Sequence, residues 1–339
     1  MQTILQRLSG TSSTSLLGYL GSDSALSTLD VLMSSTKSLS TASAAWSLLT
    51  SLIDKDQQWL SVVILTGKIP GSKKARFADE ESKACAYRGR LVIDSAIDQL
   101  LNIAELAPPI AVAILNFLGQ AQHTWSWTLT ARKELYPALY KYVTDGPSTS
   151  TSSLQFTQIT SAILDLSSIH LQYAKHIRDK EILNEFRPMF TWLIANAIEV
   201  STSNTALRTR FKKNFQNKFH IHSANFEAPT FGTTASAKFY NKDLAKRLLH
   251  DRDGWKNNYD SEMDRINDDL SQVQADLTLF NSFSKLCLEH VSFFSKAPDV
   301  QNVLAHIANK CLTTNTKTYP EEQIFDRLLQ LRADTALAL

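Results

Sequence analysis

The patterns in this 339-residue sequence that come nearest to chemistry all fall short of it. Gly67-Lys-Ile-Pro-Gly71-Ser-Lys-Lys has the flavour of a phosphate-cradling loop. Such a loop needs a glycine, four residues, then Gly-Lys-Ser/Thr, so that backbone N–H groups and the lysine converge on the phosphates. That spacing is not met, and no strand precedes it to present the loop. His220 and His222 form a His-x-His pair with no Cys, Asp or third His close by in sequence. His170 and His176 miss the i, i+4 spacing that places two metal ligands on one helix face, and no His-Glu-x-x-His is present. There is no Gly-x-Ser-x-Gly nucleophile elbow either. Cys85, Cys287 and Cys311 are odd in number and far apart. A disulfide framework or a zinc site wants closer, paired spacing. A cysteine nucleophile stays open, because its histidine can come from a distant position. All three cysteines nevertheless fit apolar helical faces, where a thiol is usually inert. No catalytic, cofactor or metal residue is assigned, no cofactor is expected, and the chain is expected not to be an enzyme.

Nucleic acid has one candidate surface. Arg208, Arg210, Lys212, Lys213 and Lys218 interleave with Phe211, Phe215 and Phe219. The phenylalanines recur at i, i+4 and i+8, which is one helix face, and base stacking would need those rings exposed. A buried Phe stripe with a solvated basic face is the simpler account. The formal charge of +2, from 35 Lys+Arg against 33 Asp+Glu, also lacks the basic bias of a phosphate-binding protein. No direct contact with nucleic acid is expected. Trp125 and Trp127 could anchor an interface, but core packing is the commoner use of such side chains.

The chain reads as helices throughout. Only 10 glycines and 9 prolines are spread over it, fewer than the turns of an all-β or doubly wound fold require. With 43% hydrophobic and 20% charged residues, a sizeable core can form. The Ser/Thr-rich start, to about Ser43, keeps Leu26, Leu29, Leu32 and Met33 at helical spacing and predicts short helices with frayed ends. Ala44–Ile53 carries Leu48, Leu49 and Leu52 on one face. Trp59–Leu65 is a dense apolar run stopped by Gly67, which predicts a buried helix with a glycine C-terminus. Lys68–Arg76 reads as an exposed loop. Asp79, Glu80 and Glu81 then open a helix expected to run to about Ala104, with acids where the helix dipole favours them. Pro108 and Pro109 start the next helix at its first turn. Ile110–Leu118 is apolar nearly all round and should be central to the core.

Tyr136, Tyr140 and Tyr142 lie on a shorter helix ending at Asp145–Gly146. Pro147–Ser153 is the best linker, so the expected organisation is residues 1–146, a linker at 147–153, and residues 154–339 continuing the same architecture. Helices are expected at Leu154–Asp179, Glu181–Val200 (bent at Pro188), Ala206–Phe219, Asp243–Leu249, Asp260–Phe294, Asp299–Leu312 and Pro320–Leu339. The longest loop is expected over His220–Lys238. Antiparallel helix pairs of about 40–47 residues would be on the HEAT or armadillo scale. No clean sequence repeat is present, so the expected fold is all-α, an irregular helical solenoid, with a compact bundle as the alternative. The longest apolar run is too short for the ~20 residues that span a bilayer. No secretory signal pattern opens the chain. An intracellular protein without membrane insertion is expected.

Three stretches carry a family resemblance. They are Trp59-Leu-Ser-Val-Val-Ile-Leu-Thr-Gly-Lys68, the apolar helix from Pro108 into Gln120-Ala-Gln-His-Thr-Trp125-Ser-Trp127, and Phe239-Tyr-Asn-Lys-Asp-Leu-Ala-Lys-Arg-Leu-Leu249 followed by Asp253-Gly-Trp255. The chain resembles the large inner-ring scaffold nucleoporins of the nuclear pore from Trp59 to about Phe294. Asn241 stands where an acid is expected in that family. The resemblance implies an internal segment of a much longer α-helical superhelix without enzymatic activity, located in the nucleus at the pore of the nuclear envelope. It implies binding of other nucleoporins, through short linear motifs of linker nucleoporins and weakly through Phe-Gly repeats, and a contribution to nucleocytoplasmic transport. It maps no partner-binding residue. The lone Phe231-Gly232 does not make a repeat nucleoporin, which carries many copies in disordered sequence. A helical transport receptor or generic adaptor is the alternative, distinguished by tight binding of cargo or a GTPase.

Overall fold

The computed structural model describes residues 16–33, 38–53, 57–67, 91–125, 129, 133–147, 152–177, 181–195 and 257–289. Several expectations fall outside these residues: the loop at 68–76, the acids at 79–81, Cys85, Cys311, Trp127, the basic stripe at 208–218, His220, His222 and all helices expected beyond Phe294. Among the described residues every regular element is helical and there is no strand. The helices are α1 (Leu16–Leu20), α2 (Ser22–Met33), α3 (Leu39–Leu52), α4 (Gln58–Thr66), α5 (Val92–Leu101), α6 (Pro108–Thr124), α7 (Leu135–Asp145), α8 (Ser153–Ile177), α9 (Glu181–Ala195) and α10 (Asn257–Glu289), with a 3₁₀ turn at Ile103–Glu105.

The chain forms two compact units. One comprises Met1–Ser148 and Ala162–Trp192, the other Thr149–Ser161 and Leu193–Leu339, so α8 contributes its ends to different units.

The Ser/Thr-rich start is more helical than its composition suggests. Mid-helix hydroxyls compete with the backbone unless they find a local acceptor. Here they bond back one turn: Thr28 Oγ1 to the Ser24 carbonyl, Ser47 to Ser43, Thr50 to Trp46 and Ser51 to Ser47. Ser38 caps α3 by accepting from the Thr41 N–H at 3.4 Å. Four residues of α3 and its end then bury one face: Ala45, Trp46, Leu49 and Ile53.

In the first unit, α3 packs most extensively on α6. Two hydrogen bonds give their relative direction. Ser43, early in α3, donates to the Pro109 carbonyl at the start of α6 (3.3 Å). Near the other end, Gln120 Nε2 donates to the Ile53 carbonyl (2.9 Å). Start meets start and end meets end, so α3 and α6 run parallel. Parallel stacking requires intervening helices to return the chain, which is how solenoid repeats bury one another's faces. Further contacts in this unit join α1 and α2 to α4, α4 to α5, and α5 to α6 and α7. The fold is that of an all-α, irregular helical solenoid. The stacked parallel helices are offset by 66 to 67 residues, longer than the expected repeat, because α4, α5 and residues 68–90 lie between them.

Pro108 and Pro109 open α6 as expected. Its Ala111, Ala113, Ile114, Leu115, Phe117 and Leu118 are all buried, with the Phe117 ring 5.2 Å from that of Trp46.

Two expectations need correction. Of the helix predicted over 79–104, only residues from Leu91 on are described: Leu91 is extended (φ −56°, ψ 140°) and interrupts it, the helix runs from Val92 to Leu101, and a 3₁₀ turn replaces its expected end. Trp59, expected inside a buried run, is 53% exposed. In α4 the buried side is set by Leu60, Ser61, Val63, Ile64 and Leu65, which leaves Trp59, Val62 and Thr66 at i, i+3 and i+7 on the outer face. The run's one serine is inside instead. Ser61 is fully buried, its hydroxyl donating to the Leu52 carbonyl at 3.5 Å. Gly67 does end α4, at φ 65°, a left-handed position that glycine takes without Cβ strain.

The second unit is described mainly through α10 and the start of α8. Asn267, Ala275, Leu279, Phe280, Phe283, Leu286 and Cys287 form the buried face of α10. Ser161 and Ser282 pair through their buried hydroxyls at 3.1 Å, and Gln272 Nε2 donates to Thr157 Oγ1 at 3.5 Å.

Candidate partner-binding surface

Cys287 is fully buried on the apolar face of α10, and burial pushes its thiol well above the usual range. Neutral, inaccessible sulfur is the opposite of an activated nucleophile. Cys287 should therefore react with a thiol reagent at pH 8 many times more slowly in the native chain than in denaturant. Equal rates in the two states would show that the thiol is reachable. Among the described residues, no group of three or more His, Cys, Asp or Glu is placed to hold a metal ion. No described helix is long and apolar enough to cross a membrane.

His170 takes part in a buried polar cluster that sequence spacing did not reveal. Its ring stacks on Tyr136 with centroids 3.6 Å apart and planes within 10°. The Tyr136 hydroxyl donates to Gln122 Oε1 at 2.8 Å, and Gln122 Nε2 approaches His170 Nδ1 at 3.4 Å. All three residues are at least nine-tenths buried. The amide donates to Nδ1 while accepting from the phenol, so one side chain of α6 ties together α7 and α8. Tyr140 extends the cluster by meeting Phe186 of α9 edge-on at 5.4 Å. The only sequence signal was Tyr136 and Tyr140 at i, i+4; a glutamine and a histidine distant along the chain give none.

Burial pushes the phenols of Tyr136 and Tyr140 well above their ordinary value of 10.0, opposed at Tyr136 by Gln122 and at Tyr140 by Ser167. The sign follows from linkage. Both groups stay protonated in the fold, so their contribution is complete below about pH 10. It is lost above that, as the unfolded chain releases protons the folded one keeps. Each should cost about 1.4 kcal/mol of stability per pH unit above 10. The denaturation midpoint measured from pH 8 to 11 should fall above 10, and Tyr136→Phe should flatten that fall.

This cluster is packing machinery, since nothing in it faces solvent. What faces solvent is different in kind. Tyr19, Val31, Leu39 and Trp59 are each more than half exposed, on α1, α2, α3 and α4. Trp125, half-buried at the end of α6, divides its surface between core and solvent. Among the described residues, the surface of the first unit thus offers apolar side chains on a helical frame.

A curated protein from Chaetomium thermophilum, "Nucleoporin NUP188", is 26% identical over 355 residues that take in 96% of this chain. The chain is similar to a segment of Nucleoporin NUP188. The match bears out the resemblance to the scaffold nucleoporins and extends it from the stretch 59–294 to nearly the whole chain. The chain spans about a fifth of that relative's length, 19%. No family model matches the chain.

Proposed function

We propose that the chain is a structural segment of the nuclear pore inner ring, a non-enzymatic stretch of helical solenoid that receives other nucleoporins on its helical surfaces and so contributes to nucleocytoplasmic transport. The observation that carries this is the similarity to Nucleoporin NUP188 along 96% of the chain. The fold supports it physically: helices stacked on near neighbours leave grooves in which an amphipathic helix or short linear motif can lie, with no need for reactive groups. On this proposal the chain resides at the nuclear envelope within the pore. Its partners are linker nucleoporins and, more weakly, Phe-Gly repeats, with no direct nucleic acid contact and no membrane insertion.

The test is an affinity capture of the tagged chain from nuclear-envelope extract, read by mass spectrometry. Enrichment of linker and inner-ring nucleoporins is expected. Enrichment of a small GTPase together with cargo, without those nucleoporins, would overturn the scaffold assignment in favour of a transport receptor.

A further inference from the structure

We draw no further inference here: the strongest candidate, the set of exposed apolar side chains Tyr19, Val31, Leu39 and Trp59 on the first four helices of the first unit, carries nothing because nothing in the structure shows what covers it.

Discussion

Replacing Phe117 by alanine should cost the first unit about 3–5 kcal/mol, enough to unfold a marginal domain at ambient temperature. Phe117 is completely buried on α6, and its ring lies 5.2 Å from Trp46 on α3, at the packing interface between the two parallel helices. Truncation removes the transfer free energy of the ring and leaves a cavity that two rigid, closely packed helices cannot collapse to fill. Phe117→Leu keeps most of the volume and should cost far less. Urea denaturation followed by Trp fluorescence and by circular dichroism would check both. A loss below about 1 kcal/mol for the alanine variant would mean the α3–α6 contact is not a principal part of the core.

Gln122→Ala should be nearly as costly, by a different route. The Gln122 amide serves two buried groups at once, accepting from the Tyr136 hydroxyl at 2.8 Å and approaching His170 Nδ1 at 3.4 Å. Removing it strips both groups of this partner where water has little access, and each such loss costs about 1–3 kcal/mol. The decisive measurement is a double-mutant cycle with Tyr136→Phe. On the wild-type background Tyr136→Phe leaves Gln122 Oε1 without its donor and destabilises. On the Gln122→Ala background it deletes a hydroxyl already deprived of its acceptor, so it should cost little or restore stability. A coupling energy of about 1–2 kcal/mol is expected, within the range of buried hydrogen-bonded pairs. Strict additivity would mean that the two side chains act independently and that no shared network joins α6 to α7.

Both variants probe packing, and the candidate surface is separate from it. If the chain works as a scaffold segment, changes at Phe117 or Gln122 should abolish partner capture only in proportion to the unfolded fraction. Restoring the fold by lower temperature would then restore capture.

Much of the architecture was legible along the chain because helix formation leaves local marks. Pro108–Pro109 at a first turn, Gly67 after an apolar run, and the 3.6-residue rhythm of α7 each reflect physics acting within one or two turns, and each predicted element is present. The absence of motif spacing for phosphate, zinc or a nucleophile was likewise a property of the sequence, as was the resemblance to scaffold nucleoporins later matched along nearly the whole chain.

What the tertiary structure decided is which side of each helix faces inward and which distant residues meet. The run around Trp59 is apolar on all sides, so its rhythm did not say that Ser61 is buried and Trp59 exposed; the helices packed against α4 settled that. The parallel stacking of α3 on α6 joins positions 66 to 67 residues apart, and the Gln122–Tyr136–His170 cluster joins three helices. A side chain's spacing to its own neighbours carries no record of a partner that only chain folding brings within hydrogen-bonding distance. Local periodicity therefore determined that this protein is made of helices, while burial against non-local neighbours determined its core, its polar cluster and the surface it presents.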